Sequence, residues 1–204
     1  FMDPETNSKN SQNLKQPANG LAAFGLFVWD LVKILILAVI IIVPFRIYIA
    51  EPFMVSGHSM LPNYRDKDYL IIDRLSYRWH EPQRGDVVVL KFPKDTSQYY
   101  IKRIIGLPGE QVRCGQGKVE IIDAEKKQKI LEEPYLPPKT QTNNCKPLQV
   151  LGSGEYFVLG DNRTASSDSR AWGILPKDDI VGRAWLRAFP LGDFGVFHSP
   201  IYAQ

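Results

Sequence analysis

Histidine and cysteine are scarce in this chain, with three histidines (His58, His80, His198) and two cysteines (Cys114, Cys145) among 204 residues. Two cysteines are too few for a tetrahedral thiolate site, and no histidine stands close enough in sequence to complete one. No metal or other cofactor is therefore expected. Charge of one sign is lacking too: 25 Lys and Arg face 22 Asp and Glu, for a net +3. The basic residues are scattered and no stripe of them interleaves with aromatics, so nucleic acid is not an expected partner. There is no internal repeat, and beyond residue 50 no long 3.6-residue apolar period that would call for a helical core.

The apolar residues are unevenly placed. The first 20 or so, "FMDPETNSKNSQNLKQPANG", are polar and lack the apolar mass to offset ordering. Residues 1–23 are expected to be a disordered tail. The composition then changes abruptly at "LAAFGLFVWDLVKILILAVIIIVPFRIYIAEPF". Between Lys33 and Arg46 lie 12 uncharged residues, too few by themselves for a membrane span. The flanks lengthen it: Leu21 to Val32 is apolar except for Asp30, which Lys33 can pair at i,i+3, and Arg46 can snorkel at the far end. A retained transmembrane anchor over 24–50 is the expected result. A cleaved signal peptide and a buried core helix are the competing readings. The first is disfavoured because no small-x-small site follows, and bulky "FRIYIAEPFMV" runs straight on. Lys9 and Lys15 favour a cytoplasmic tail, although Arg65 and Lys67 lie beyond the span.

After residue 50 the pattern is that of strands. "DYLIIDRLSY", "GDVVVLKFP", "YYIKRIIGL", "QVRCGQGKVEII", "GEYFVLGD" and "DIVGRAWLRAF" are short β-branched and aromatic runs bounded by Gly, Pro and Asp. The expected fold is mainly β: an antiparallel sheet domain over 51–204, with an inserted β-appendage at about 113–150. Cys114 and Cys145 bracket this Lys-, Gln- and Pro-rich insertion. In an oxidising compartment they could close a disulfide; two free buried cysteines are the alternative.

Three segments offer chemistry. In "GHSMLP", Ser59 is a candidate nucleophile, but a hydroxyl needs a base to take its proton. His58 is its neighbour and points to the opposite face of an extended segment; His80 and His198 sit in loop-like surroundings. Lysine is the other option, provided that burial disfavours its charged form. Lys102 in "QYYIKRIIGLPGE" shares a strand face with Tyr100 and Ile104, and "GLPGE" ends that strand in a turn. By itself, a lysine reaching solvent from an edge strand is the commoner outcome. The third segment, "GDNRTASSDSRAWG", holds Asp161, Arg163, Asp168 and Arg170, enough for two charge pairs. Its composition also suits a surface loop.

These segments in order, after one anchor, resemble bacterial type I signal peptidase, the membrane-bound Ser/Lys leader peptidase family. "GHSMLP", "RGDVVVLKFP", "YIKRIIGLPGE" and "GDNRTASSDSRAWG" are similar to its four characteristic boxes, and the resemblance runs from the anchor to about residue 190. It implies Ser59 as nucleophile, Lys102 as general base, Ser166 as the hydroxyl that orients the amine, and the Ser59 backbone N–H as an oxyanion donor. It further implies structural ion pairing of Arg103 with Asp161 and of Asp168 with Arg170. Two positions depart from the pattern. Gly57 stands where some members carry a hydroxyl residue two before the nucleophile, and Asn63 and Tyr64 replace the usual Thr-Leu. The implied function is removal of signal peptides from Sec- and Tat-exported preproteins, with small residues at P1 and P3. The implied setting is a single-pass plasma or internal membrane protein, touching lipid, with its catalytic domain on the extracytoplasmic side. A related Ser/Lys protease with another task, and a non-enzymatic anchored β-domain, are the rival functions.

Overall fold

The computed structural model describes residues 20–44, 50–145, 150–200 and 202; the tail expected over 1–19 lies outside them. The first unit is a helix, α1 (Gly20–Pro44). Its stretch Ala23–Val43 has mean hydropathy 2.8 and no part of it is buried against protein. At ~1.5 Å per residue, 21 residues reach about 31 Å, close to the ~30 Å hydrocarbon core of a bilayer. Lys33 Nζ pairs with Asp30 Oδ1 at 3.1 Å one turn away, so the two charges partly neutralise each other. Proline at 44 ends the helix, since its ring and missing N–H cannot continue the hydrogen-bond ladder.

The second unit is built on an antiparallel sheet of β1 (Ala50–Met54), β2 (Tyr69–Asp73), β3 (Val87–Phe92), β4 (Asp95–Gly106), β8 (Glu155–Leu159), β9 (Leu175–Pro176), β10 (Ile180–Phe189) and β11 (Gly195–Val196). The order is β1-β2-β10-β3-β4-β8-β9, with β11 beside β10. A second, three-stranded sheet holds β5 (Gln111–Gly115), β6 (Lys118–Ile122) and β7 (Gln128–Ile130). This is the inserted β-appendage. Its β5–β6 hairpin closes with Cys114 bonded to Cys145, their Cα atoms 5.1 Å apart, which settles the open question about the two sulfurs in favour of a disulfide.

β4 explains the position of the site. Its first half is solvent-facing, while Ile101 to Gly106 are all buried. The buried half pairs with β3 along one edge and β8 along the other, and an apolar cluster covers each face. Val87, Val89 and Ile101 join one apolar cluster, and Val88, Leu90 and Ile104 join another. A strand covered on both faces tolerates a polar side chain only where it finds a partner. Lys102 and Arg103 are the two exceptions on β4, and both have one.

Candidate active site

Ser59 follows β1 in a tight turn. Gly57, two residues earlier, has φ +92°, a conformation that strains any side chain with a Cβ, and its amide donates to Asp66 Oδ1 at 2.8 Å. The position that departs from the family pattern is thus one where this loop needs glycine. Met60 is buried beneath the turn, and the Asp161 amide donates to its sulfur at 3.5 Å. The Asn162 amide donates to the Ser59 carbonyl at 3.0 Å, and Asn162 Nδ2 to the His58 carbonyl at 3.1 Å. Three contacts from the segment after β8 therefore hold the Ser59 turn.

Lys102 reaches this turn from β4, 43 residues later in the chain. Its Nζ donates to Ser59 Oγ at 2.8 Å and to the Ile101 carbonyl at 2.8 Å, and it stands 5.3 Å from the Tyr100 ring centroid. The residue is only 3% exposed. Burial lowers its pKa to about 8, against the opposing pull of Asp168 and Asp161. His58 is exposed beside Ser59, and among the described residues neither His80 nor His198 bonds to Ser59.

Lowering this pKa has a cost in stability whose sign follows from proton counting. Below about pH 8 Lys102 is charged in both folded and unfolded chains, so the penalty for burying the charge is fully present. Between about 8 and the solvated value of ~10.4 the unfolded chain holds the extra proton, so stability rises with pH by up to roughly 3 kcal/mol. Lys102→Met, which keeps the bulk and removes the charge, is expected to melt several degrees above wild type at pH 7. The gain should shrink toward pH 11, and an unchanged or lower melting temperature at pH 7 contradicts a destabilising buried amine.

The ion pairs enclose the dyad. Arg103, beside Lys102, donates from Nε and Nη2 to the two oxygens of Asp161 at 2.8 and 2.6 Å and from Nη1 to the Gly85 carbonyl at 2.9 Å. Burial disfavours the guanidinium charge, but the Asp161 contacts outweigh it and raise the pKa. Arg170 forks onto Asp168 with two bonds of 2.8 Å, and Asp168 also caps the short helix α2 (Ser169–Trp172) and accepts the Gly160 amide. Burial would raise the Asp168 carboxyl; the bonds from Arg170 and Gly160 hold it below its ordinary value. Both pairs implied by the resemblance are formed. Arg163 pairs with Glu133 of the insertion rather than with an acid of its own segment.

Ser166 makes no hydrogen bond to the amine. Its Oγ is buried beside the Asp168 carboxylate, which it helps to hold below its ordinary pKa, and lies against Gly160, where any Cβ would overlap it. The two bonds that aim Lys102 Nζ come from Ser59 and the Ile101 carbonyl instead. Asn63 and Tyr64, the other departure, are absorbed into the packing. Asn63 Nδ2 donates to Asp161 Oδ2 at 2.8 Å and to the Tyr135 carbonyl at 3.0 Å, while the Tyr64 ring packs on Phe197 at 4.4 Å. An open pocket of about 220 Å³ lies in front of Ser59 and Lys102, walled by Phe53, Val55, Leu70, Tyr99 and Ile101. Ser56 and Ser167 also line it, and no pattern in the sequence singled them out. Among the described residues no cluster of His, Cys, Asp and Glu could hold a metal ion.

A hydroxyl 2.8 Å from a desolvated amine, with an apolar pocket at its mouth, can attack a carbonyl held in an extended chain. The family description "Signal peptidase, peptidase S26" matches residues 28–189. The chain is 35% identical over 180 residues to a probable signal peptidase I-1 of Synechocystis, covering 85% of this chain and 88% of that one. It is 37% identical to a probable signal peptidase I-2 of the same organism, over 82% and 76% of the two chains, and 31% identical to signal peptidase I T of Bacillus subtilis, over 94% and 97%. A solved signal peptidase I from Enterococcus faecalis aligns at 29% identity over 51% of this chain and 97% of its own, with a TM-score of 0.43.

Proposed function

The chain belongs to the signal peptidase family, peptidase S26, and from that premise we propose that Ser59 and Lys102 are the nucleophile and general base with which it removes signal peptides from exported preproteins. The observation that carries the reading is the 2.8 Å contact between a buried Lys102 Nζ and Ser59 Oγ. When the amine is neutral the same contact reverses, and the hydroxyl donates to the nitrogen lone pair. Lys102 takes the proton as Oγ attacks the scissile carbonyl, then passes it to the departing amine. Water activated by the freed amine hydrolyses the acyl-enzyme. Among the described residues the Ser59 amide donates to no other group, which suits it to the developing oxyanion. The Gly57 amide is engaged by Asp66, so a second donor must come from elsewhere at the pocket, where Ser56 and Ser167 carry hydroxyls. Ser166, buried beside Asp168, reaches the amine if either side chain rotates.

The apolar wall fits the small P1 and P3 residues of a signal peptide cleavage site. α1 is long enough to anchor the enzyme in the membrane that its preproteins cross, with the catalytic domain on the extracytoplasmic side. The pH–rate profile of preprotein cleavage in detergent tests the base. With a pKa of about 8, roughly one molecule in ten carries a neutral amine at pH 7, against about one in a few thousand for a solvated lysine. kcat/KM should therefore rise with pH and level off above about 8. An acid limb that climbs on toward 10 shows a solvated amine and removes Lys102 from the role, as does a limb near 6.5 that vanishes on replacing His58.

A further inference from the structure

Arg163 is buried with its charge, yet the chemistry proposed for Ser59 and Lys102 makes no use of it. Its side chain joins two parts of the fold. Nε donates to the Gly160 carbonyl at 3.1 Å. Nη1 donates to Glu133 Oε2 at 2.9 Å and to Thr142 Oγ1, and Nη2 to Glu133 Oε1. Glu133 and Thr142 belong to the segment that leaves β7, beyond the three-stranded sheet. Tyr135, two residues on, donates from its hydroxyl to Glu133 at 2.6 Å and lays its ring 4.0 Å from the Arg103 guanidinium carbon. The Tyr135 carbonyl accepts from Asn63, which also donates to Asp161.

Gly160, held by Arg163, packs directly against the Ser59 turn. A Cβ there would lie 2.5 Å from the Ser59 carbonyl oxygen and overlap Ser166 Oγ. Its amide is bonded to Asp168. The segment 133–142 thus holds, through one buried guanidinium, the backbone against which the Ser59 turn rests. Through Tyr135 it also braces the arginine next to Lys102. We propose that Glu133 and Arg163 are a positioning pair: the inserted segment sets the Ser59–Lys102 contact by fixing Gly160, rather than decorating the catalytic domain. Displacement of a nucleophile by about 1 Å can cost on the order of a hundredfold in rate, so a modest loosening here has a measurable effect. Arg163 does not line the pocket, so substrate binding should be spared.

This inference rests on the Ser59–Lys102 reading, and the test separates the two. The full chain in detergent is assayed on a preprotein, with kcat and KM taken per folded molecule well below each melting temperature. Lys102→Met runs alongside; activity retained there sinks the dyad whatever Glu133 does. Glu133→Gln keeps the side chain's shape and strands the Arg163 charge, so it should lower both the melting temperature and kcat, the latter about tenfold or more, with KM within about twofold of wild type. Glu133→Gln with Arg163→Gln removes both charges. Stability should largely return, but kcat should stay low because Gly160 has lost its anchor. Tyr135→Phe, the mildest change, keeps the ring on Arg103 and should cost about threefold in kcat if folding of the others fails. Recovery of kcat together with melting temperature in the double variant means the pair is structural only and overturns the proposal. An unchanged kcat per folded molecule in Glu133→Gln, or in Tyr135→Phe when that is the only variant to fold, overturns it as well.

Discussion

Ser59→Ala should reduce single-turnover cleavage of a preprotein by a factor on the order of 10⁵ or more while the protein stays folded. Among the described residues lining the pocket, the Ser59 hydroxyl is the one that meets a buried amine, and alanine removes the atom proposed to form the acyl bond. Lys102→Met should fall as far, because without a base the Ser59 proton has nowhere to go at neutral pH. The double variant should be no worse than either single one, since two residues that act as a unit do not lose their effects additively. Replacing His58, His80 and His198 together should leave most activity: His58 and His80 are exposed, and no histidine bonds to Ser59. A dead triple variant beside an active Lys102→Met would reverse the assignment. A double variant far below both singles would show that Ser59 and Lys102 work independently.

The second large effect is on stability. The Arg103–Asp161 pair is almost wholly out of water, with side-chain exposures of 6% and 0%. Asp161→Ala leaves the Arg103 guanidinium with the Gly85 carbonyl as its one hydrogen-bond acceptor, and Asn63 Nδ2 with the Tyr135 carbonyl alone. Truncating one partner of a buried pair typically costs ~3–5 kcal/mol, because the remaining charge has lost its compensation. For a domain of this size that corresponds to a fall of about 10 °C in melting temperature. Arg65→Ala is the control. Its pair with Asp193 is solvent-exposed, at 66% and 41%, and exposed pairs contribute between 0 and ~1 kcal/mol. Thermal denaturation of the two variants side by side decides the matter. Equal small shifts would mean that Asp161 sits in a hydrated loop, and the enclosure of the dyad would have to be given up.

Arg170→Ala belongs between these limits. Asp168 would keep the Gly160 amide and the cap of α2, so its charge is less exposed to loss than that of Arg103. Activity should fall with it, since Asp168 holds Gly160 from the amide side as Arg163 does from the carbonyl side.

Element type was legible along the chain because it depends on local pattern. Short β-branched runs closed by Gly, Pro and Asp became strands, and the apolar run from Ala23 to Val43 became one long helix. The helix starts at Gly20, inside the stretch expected to be tail, and stops at Pro44; β1 begins at Ala50, where the anchor was expected to end. Proline sets the end of the helix more sharply than hydropathy could. The Tyr100, Lys102 and Ile104 face was correctly read from the two-residue period, and Tyr100 does lie beside the amine.

Partner choice was not legible in the same way. The composition of "GDNRTASSDSR" promises charge pairs, yet only Asp168 and Arg170 pair within it. Asp161 takes Arg103 from 58 residues away, and Arg163 takes Glu133 from 30 residues away. The resemblance supplied the first of these long-range pairs; nothing in "KILEEPYLPP" announced that Glu133 and Tyr135 would join the site. Ser166 shows the converse: a position matched by motif whose hydroxyl, packed against Gly160, lies with the Asp168 carboxylate rather than bonding to the Lys102 amine.

By itself, then, the sequence determined the helix, the strands, the insertion and the residue types able to do acyl chemistry, because these follow from spacing and composition. Whether Lys102 could be a base at all was decided only by tertiary structure. Its pKa depends on how much water is removed from one nitrogen. That removal is done by the apolar clusters on the two faces of the sheet and by a serine turn 43 residues upstream, drawn mostly from strands distant in the chain.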